Sequence, residues 1–307
     1  MNGLLPRLGR RLLVVAASVL LVHGLAFLAL RAVPGGPFDT ARPLAPEVRA
    51  ALEARYGLDA PLHAQYLSAL RGLLTGDFGP SLHYRDVAVR TILADALPVS
   101  LWVGGLALLL AFPLGAGCGV AAAMRRRLEG PALGASALLL AVPNFVLAGL
   151  FVLAFSFGLG WLPPAGWGGA RHVVLPALCL ALPLAAQVFR VAHEGARAAH
   201  GSPAVRFARA MGLPPRTLAR RHVLRPALVP VAAFLAPASA GVLTGSLVVE
   251  RVFALPGLGT HFVRAAMDRD YTLALGATVV YTALLGLCTL LGDLLLAVLD
   301  PRVEAVS

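Results

Sequence analysis

The sequence predicts an all-α membrane protein with six transmembrane helices. Of its 307 residues, 58% are hydrophobic and 13% are charged, whereas about 25% of the residues of a typical soluble domain are charged. The mean hydropathy is +0.79, and the apolar residues fall in runs long enough to cross a bilayer as helices. The net charge of +11 comes entirely from arginine, because the chain contains no lysine.

Six apolar stretches approach or exceed the roughly 20 residues that a helix needs to span the hydrocarbon core. They are residues 12–31, 98–123, 132–159, 173–190, 227–249 and 273–299. The first stretch follows several arginines, as the core of a signal peptide does. It is longer than the roughly 7–15-residue core of such a peptide, and no small-residue cleavage site follows it. We therefore expect an uncleaved membrane anchor.

The distribution of arginine predicts the orientation of the spans. The N-terminus, the triplet at 125–127 and the loop 190–226 are rich in arginine and poor in acidic residues, whereas positive and negative charges nearly balance in residues 32–97. Loops rich in arginine stay on the cytoplasmic side of a membrane. Both termini are therefore expected in the cytoplasm, and the basic charge is read as a membrane anchor rather than as a nucleic-acid surface.

The sequence divides into four regions on this reading. Residues 1–31 are the N-terminal end and first span, and residues 32–97 form an external segment whose leucine and alanine spacing predicts two or three short amphipathic helices. Residues 98–300 are a core of five spans that includes the loop 191–226. Residues 301–307 are a cytoplasmic tail.

Several kinds of catalytic chemistry are missing from the sequence. A P-loop ATPase needs a lysine on the phosphates, and this chain has none. His193-Glu194 is followed by His200, but a zinc motif on a helix places its histidines four residues apart, not seven. No G-x-S-x-G motif is present. These absences argue against an ATPase, a zinc enzyme or a serine hydrolase.

Few ionisable or thiol groups fall within the predicted spans. Cys118, Cys179 and Cys288 all lie in apolar runs, where they are expected to act as small core residues. The ionisable groups are His23 and Asp293 within spans, and Glu250 and Asp300 at span edges. Each has two readings: a hydrogen bond or ion pair between helices, or a functional role, since charge inside a membrane is costly.

A basic segment separates the fourth and fifth spans. Ser202-Pro203 predicts a helix start, Gly212 predicts a left-handed helix end, and Pro214-Pro215 predict a second short helix through Arg225, with Pro226 at the start of the fifth span. The alternatives are an ordinary connection anchored to lipid head groups and a docking surface. An exposed Phe207 and Met211 on this helix would favour docking.

Here the residues carry a family resemblance. Ala208-x-x-x-Gly212, followed by Leu228-Val-Pro230, resembles the EAA loop of ABC importer permeases, and nearly the whole chain is similar to the dipeptide/oligopeptide/nickel group. Three differences stand out: Arg206 occupies the place of the motif's glutamate, Gly36 that of a common aspartate, and Phe207 that of a smaller residue. The other matching segments are Pro34-Gly-Gly-Pro37, Tyr56-Gly-Leu-Asp-Ala-Pro61, Gly76-Asp-Phe-Gly79, Gly160-Trp-Leu-Pro-Pro164, Thr244-Gly-Ser-Leu-Val-Val-Glu250, Phe253-Ala-Leu-Pro-Gly-Leu-Gly259, Arg269-Asp-Tyr271 and Leu299-Asp-Pro301.

The resemblance implies a type I ABC importer permease in the inner membrane of a bacterium or archaeon, a transport subunit without an ATPase site. It implies four partner subunits: a second homologous permease, two ATPases that carry ATP and Mg, and an extracytoplasmic solute-binding protein. No cofactor would be bound by this chain itself. The implied substrates are di- or oligopeptides, with nickel or another small solute as the alternative and a secondary transporter as a more distant one. The implied ATPase-coupling residues are Arg206, Phe207, Ala208, Arg209, Ala210, Met211, Gly212, Leu213 and Pro230.

Two further sets of residues are candidates for the transport path. The fifth span is rich in small residues, which either allow close helix packing or line a polar path. The pathway candidates are Ser239, Thr244, Ser246 and Gln187. The link after the fifth span is expected to be a short re-entrant turn that forms an outer gate, with candidates Pro256, Gly257 and Gly259.

Overall fold

The computed structural model describes residues 4–39, 45–84 and 86–299, and in these residues the chain is helical with no β-strand. The first seven helices are α1 (Leu4–Ala32), α2 (Pro46–Arg55), α3 (Leu62–Thr75), α4 (Val89–Met124), α5 (Arg126–Ala141), α6 (Asn144–Phe151) and α7 (Ala170–His200). The others are α8 (Pro203–Ala210), α9 (Pro215–Leu218), α10 (Arg225–Ala233), α11 (Leu235–Val252), α12 (Leu258–Met267) and α13 (Tyr271–Leu299). Two π-helical segments, Val152–Gly158 and Ala219–Leu224, follow α6 and α9.

Four single helices are long and apolar enough to cross a membrane. They are Gly9–Ala32, Val89–Met124, Ala170–His200 and Tyr271–Leu296. Two bent pairs, Arg126–Ala141 with Asn144–Gly158 and Arg216–Ala233 with Leu235–Val252, bring the number of spans to six when each pair is one span. The prediction of an all-α protein with six apolar spans is confirmed, whereas the proposed tail 301–307 lies outside the described residues.

The third predicted span, 132–159, is not one straight helix. Its two halves meet at an angle of 99°, with the break at Val142 and Pro143. Val142 is extended, with φ −86° and ψ 121°. Proline disfavours the helical conformation of the residue before it and cannot donate a backbone hydrogen bond, so Pro143 ends α5 and begins the next helix.

The fifth predicted span, 227–249, is also bent. α10 ends at Ala233, α11 begins at Leu235, and the two helices meet at 47°. The cause lies in Pro237, which lacks an N–H group and whose ring clashes with the carbonyl four residues earlier. That carbonyl belongs to Ala233, the last residue of α10.

Residues 32–97, predicted to be an external segment, hold two short helices, α2 and α3, within the predicted two or three. The helix of the second span starts at Val89, earlier than the predicted residue 98, so the last residues of the 32–97 segment belong to this helix. The chain also divides into two compact units, and the division into regions 1–31, 32–97, 98–300 and 301–307 stays a prediction. The first unit is residues 1–99 with 256–286, and the second is 100–255 with 287–307.

The buried aspartate Asp270 organises one end of the first unit. Its carboxylate accepts hydrogen bonds from Ser81 Oγ, from the backbone N–H of His83 at 3.2 Å, from Thr272 Oγ1 at 3.0 Å and from the backbone N–H of Leu273 at 3.1 Å. Asp270 is only 1% exposed to solvent. Its carboxylate therefore caps the N-terminus of α13 and links residues 81–83 to this helix.

A second contact joins the Pro34-Gly-Gly-Pro37 turn to the residues around Asp270. Tyr271 OH donates to the carbonyl oxygen of Gly35 at 3.2 Å, and Arg269 donates to that of Gly36 at 3.4 Å. Asp39 is held in the same turn, where the backbone N–H of Gly36 and then Arg49 keep the pKa of its carboxyl below the usual value. Two motifs far apart in the sequence thus meet in one structure.

The second unit contains a close helix contact between α4 and α7. A Cβ atom added to Gly115 would lie 2.5 Å from the carbonyl oxygen of Ala185, and one added to Gly119 would lie 2.5 Å from that of Phe189. Small residues allow membrane helices to approach until their backbones touch. The glycines at these two positions therefore set the distance between α4 and α7.

Candidate functional site

The basic segment, residues 201–225, begins with the helix start that the sequence predicts. Ser202 Oγ accepts a hydrogen bond from the backbone N–H of Val205 at 3.3 Å, and Pro203 is the first residue of α8. This is a side-chain cap followed by proline in the first turn. The helix predicted between Ser202-Pro203 and Gly212 is confirmed, since α8 runs over Pro203–Ala210.

Gly212 ends α8 in the left-handed conformation, at φ +77°. The backbone N–H of Leu213 donates to the carbonyl oxygen of Ala208 at 3.2 Å, and the N–H of Gly212 donates to that of Arg209 at 3.0 Å. This pair of bonds is a Schellman motif, which glycine accommodates because it has no Cβ. The turn after α8 is therefore a defined structure and not a loose connection.

The second predicted helix, from Pro215 to Arg225, does not stop at Pro226. α9 leads through the π-helical segment Ala219–Leu224 directly into α10. Pro226 is the second residue of α10 and directly follows the π-helical segment. The chain therefore runs as one continuous helical path from Pro215 to Ala233.

A small apolar cluster holds the basic segment against other helices of the second unit. Val205 and Ala208 on α8 are buried, and Leu213 packs with them. The other buried members are Ala196, Ala199, Leu218, Val223 and Ala227, packed against Val120, Ala123 and Met124 at the end of α4. The side of α8 that carries Val205 and Ala208 is therefore part of one cluster with four other helices, α4, α7, α9 and α10.

The opposite side of α8 presents large apolar side chains to solvent. Phe207 is 69% exposed and Met211 is 64% exposed. The segment between Glu194 and Glu250 contains no acidic residue, and the arginines of the basic segment are all exposed: Arg206, Arg209, Arg216, Arg220, Arg221 and Arg225. Exposed aromatic and Met side chains with surrounding arginines are typical of protein interfaces.

Polar contacts connect this region to α5 and α7. Arg209 donates toward His200 Nε2 at 3.1 Å. Glu129 of α5 pairs with Arg197 at 2.5 Å and lies 3.4 Å from His193 Nε2. His193, considered above for a zinc motif, thus faces a carboxylate of α5.

Pro230, assigned to the coupling loop by resemblance, lies inside α10 and not on the exposed surface. A Cβ at Gly195 of α7 would come within 3.1 Å of the Pro230 ring. Pro230 is half-buried at this contact, so it helps to position the helix that follows the basic segment.

The pathway candidates differ in their surroundings. Ser239 and Ser246 are each 2% exposed, and Ser239 Oγ donates to the carbonyl oxygen of Leu235 in its own helix at 2.8 Å. The side chain of Thr244 lies outside what the structure describes. Gln187 is exposed between buried neighbours on α7. The assignment of these residues to a transport path stays a prediction.

Gln187 belongs to a polar stripe that the residue-by-residue reading missed. Arg190, Glu194 and Arg197 are also exposed on α7, and their spacing of three and four residues places them on one face of the helix with Gln187. The signal was present in the spacing, but the predicted end of the fourth span at residue 190 divided the stripe. The helix itself runs to His200.

Sequence reasoning named Glu250 but missed its burial and its hydrogen-bond partner. Glu250 is fully buried and accepts a hydrogen bond from Ser100 Oγ of α4 at 2.6 Å. The sequence placed Glu250 at the edge of a span, but nothing local indicates Ser100 as its partner. A carboxylate without water needs such donors, so this pair links α11 to α4 within the second unit.

The link expected to form an outer gate is a tight turn. It lies between α11, which ends at Val252, and α12, which starts at Leu258. Ala254 in this turn has φ +49°, and the carbonyl oxygen of Phe253 accepts a hydrogen bond from the backbone N–H of Gly166 at 2.8 Å. Pro256 is exposed, whereas Gly257 and Gly259 are buried. Their role in gating stays a prediction.

Comparison with known proteins gives a family match over most of the chain. The family described as "Binding-protein-dependent transport system inner membrane component" matches residues 111–305. The oligopeptide transport system permease protein OppB of Salmonella typhimurium is 39% identical over 299 residues, which cover 96% of this chain and 98% of that protein.

Two relatives from other bacteria match over similar lengths. The dipeptide transport system permease protein DppB of Bacillus subtilis is 37% identical over 297 residues, or 96% of each chain. The DppB protein of Lactococcus lactis is 35% identical over 303 residues, or 98% of each chain.

Proposed function

The chain belongs to the family of binding-protein-dependent transport system inner membrane components, and on that premise we propose that it forms half of the membrane pathway of an ATP-driven peptide importer. Its relatives are named oligopeptide and dipeptide permeases, and the sequence match extends over almost their full length. The other half would come from a second, homologous permease. Two ATPase subunits and an extracytoplasmic binding protein would complete the complex, with both termini of this chain in the cytoplasm.

The observation that carries the proposal is the exposed apolar face of the basic segment. α8 presents Phe207 and Met211 outward while Val205 and Ala208 anchor it from behind. A rigid element of this kind transmits a displacement, whereas a flexible tether absorbs it. The chain has no lysine and therefore lacks the phosphate-binding loop of an ATPase, so ATP and Mg would be held by a partner subunit. We assign the exposed face of α8 to the contact with that ATPase.

A displacement of α8 has two structural routes into the membrane region. One is the apolar cluster that joins α8 to α7 and to the end of α4. The other is the helical path from α9 into α10, which packs on α7 at Gly195. Both routes end on the helix that carries the polar stripe of Gln187, so we place that stripe along the transport path.

Reconstitution tests the proposal directly. We consider proteoliposomes that hold the two permeases and the two ATPases, with ATP on the membrane side that carries the ATPases. They should take up a labelled oligopeptide only when the binding protein is present on the other side of the membrane. The chain reconstituted alone should take up none. Peptide uptake by the chain alone, driven by an ion gradient, would instead identify a secondary transporter.

Cysteine labelling tests the path. In a variant without Cys118, Cys179 and Cys288, we expect Gln187→Cys to react with a membrane-impermeant thiol reagent. Val188→Cys is the matched control, since Val188 is fully buried beside it. Ser239→Cys and Ser246→Cys should react only when the ATPases are trapped in another nucleotide state. Equal labelling at 187 and 188 in every state would contradict the assignment.

A further inference from the structure

Within the first unit, a cavity of about 430 Å³ lies between α1, α2, α3 and the start of α13. Its volume is in the range of small-molecule sites. The proposed transport function uses none of its lining residues. Its apolar wall is formed by Phe27, Leu58, Phe78 and Leu275, and its polar groups include His23, Arg31, Arg55, Gln65 and Asp77.

Two side chains at this cavity have buried polar atoms without a hydrogen-bond partner among the described residues. His23 is 1% exposed, and neither of its ring nitrogens has a hydrogen-bond partner among the described residues. Gln65 donates through Nε2 to the carbonyl oxygens of Leu58 and Ala60, at 2.9 and 2.6 Å, while its Oε1 is buried without a partner. Buried polar groups normally find partners, so these atoms indicate a polar ligand.

The charges at the cavity favour an anionic ligand. Arg31 lies over the rings of Phe27 and Tyr271, at 5.3 and 4.6 Å from their centroids, and no carboxylate pairs with it in the described part of the chain. Arg55 also lines the cavity, although Asp86 pairs with it at 2.9 Å. Asp77 is the single acidic residue of the lining. The guanidinium of Arg31 is therefore available for a phosphate group.

The position of the cavity matches an amphiphilic molecule. Arg31 is in the last turn of the candidate span Gly9–Ala32, which places it at the membrane interface. The rise from His23 to Arg31 along α1 is about 12 Å. The cavity thus extends from the guanidinium of Arg31 at the interface, past the apolar ring of Phe27, to His23 about 12 Å deeper along α1.

A second cavity supplies a surface for an apolar tail. It has a volume of about 400 Å³ and shares Phe27 with the first cavity. Gly24, Leu28, Leu62, His63 and Tyr66 complete its lining. It lies along the side of α1 on which Leu28 is exposed.

We propose that these cavities bind a glycerophosphate-bearing amphiphile, a phospholipid with an anionic head group. Its phosphate is placed at Arg31, a head-group hydroxyl at Gln65 Oε1, and its acyl chain against Phe27 and Leu28, directed along α1 toward His23. The bound lipid would fill the space between the first span and the helices α2 and α3. The proposal does not depend on the transported substrate.

Native mass spectrometry of the full importer complex tests the proposal, with phosphatidylglycerol and phosphatidylcholine as probes. We expect tighter binding of phosphatidylglycerol, weakened about tenfold by Arg31→Gln and restored by Arg31→Lys. Arg71→Gln is the charge control, since Arg71 is an exposed residue of α3 outside the lining. Ala69→Phe should block the cavity, whereas Leu67→Phe, at an exposed position of the same helix, should not.

The outcomes separate the two sources of a glycerophosphate group. Glycerol 3-phosphate should compete weakly, because it lacks the acyl chain. Strong competition by glycerol 3-phosphate, or equal binding of both lipids in the wild-type and Arg31→Gln complexes, would overturn the proposal. Thermal unfolding of each variant separates lost binding from lost folding. Peptide uptake, measured separately, reports on the transport function and leaves the lipid result independent.

Discussion

Replacing Gly119 by alanine is expected to destabilise the protein strongly, by about 2–4 kcal/mol, so that little folded complex accumulates. The added Cβ would lie 2.5 Å from the carbonyl oxygen of Phe189 and 2.9 Å from Cβ of Ala192. Backbone atoms and an alanine side chain cannot rotate away, so α4 and α7 would have to separate. Thermal unfolding of the purified complex in detergent measures the effect.

Gly117 provides the matched control on the same helix. A Cβ at Gly117 would meet nothing within 4 Å, so Gly117→Ala should be neutral or slightly stabilising, since alanine favours a helix over glycine. Gly115→Ala should behave like Gly119→Ala, because it would meet the carbonyl oxygen of Ala185 at 2.5 Å. Equal unfolding temperatures for the 117 and 119 variants would show that the two helices are not in backbone contact.

Replacing Phe207 by serine is expected to reduce peptide uptake at least tenfold while the protein stays folded. The side chain is 69% exposed, so little packing within the chain is lost. If it inserts into the ATPase, its removal should cost about 2 kcal/mol or more, as for other aromatic anchors of interfaces. Uptake and ATP hydrolysis in proteoliposomes measure the result, with loss of the binding-protein stimulation of hydrolysis as the mark of uncoupling.

Two methionines with similar exposure separate docking from general surface effects. Met211 on the basic segment is 64% exposed and Met267 on α12 is 70% exposed. Met211→Ser should lower uptake severalfold, whereas Met267→Ser should leave coupling unchanged. A Phe207→Ser complex with unchanged uptake would remove the basic segment from the docking role.

The features that sequence reasoning predicted correctly depend on local rules. Ser202, Pro203 and Gly212 act on backbone groups within a few residues, so the cap, the start and the end of α8 follow from the sequence alone. The apolar spans are equally local, because each depends only on its own composition. The break at Pro143 was also visible in principle, since proline restricts the residue before it.

The features that could not be predicted depend on residues distant in the sequence. Nothing near Glu250 indicates Ser100, and nothing near Asp270 indicates Ser81. The contact of Gly119 with α7 likewise depends on helix packing. The sequence alone does not indicate it, because a single glycine in an apolar helix is compatible with several structural roles. The candidate docking face lies between these cases: Phe207 and Met211 were placed on one helix, but their exposure needed the packing of Val205 and Ala208.

The network around Asp270 has a consequence for the order of biosynthesis. The Pro34-Gly-Gly-Pro37 turn and Ser81 are bonded to residues 269–271, with separations of up to 236 positions along the chain. Contacts so remote in sequence form only after the ribosome has delivered both partners. Residues 34–37 and Ser81 are therefore synthesised long before their partners and form these hydrogen bonds only when residues 269–271 have been made. A truncated polypeptide that ends before residue 269 lacks all of these hydrogen bonds.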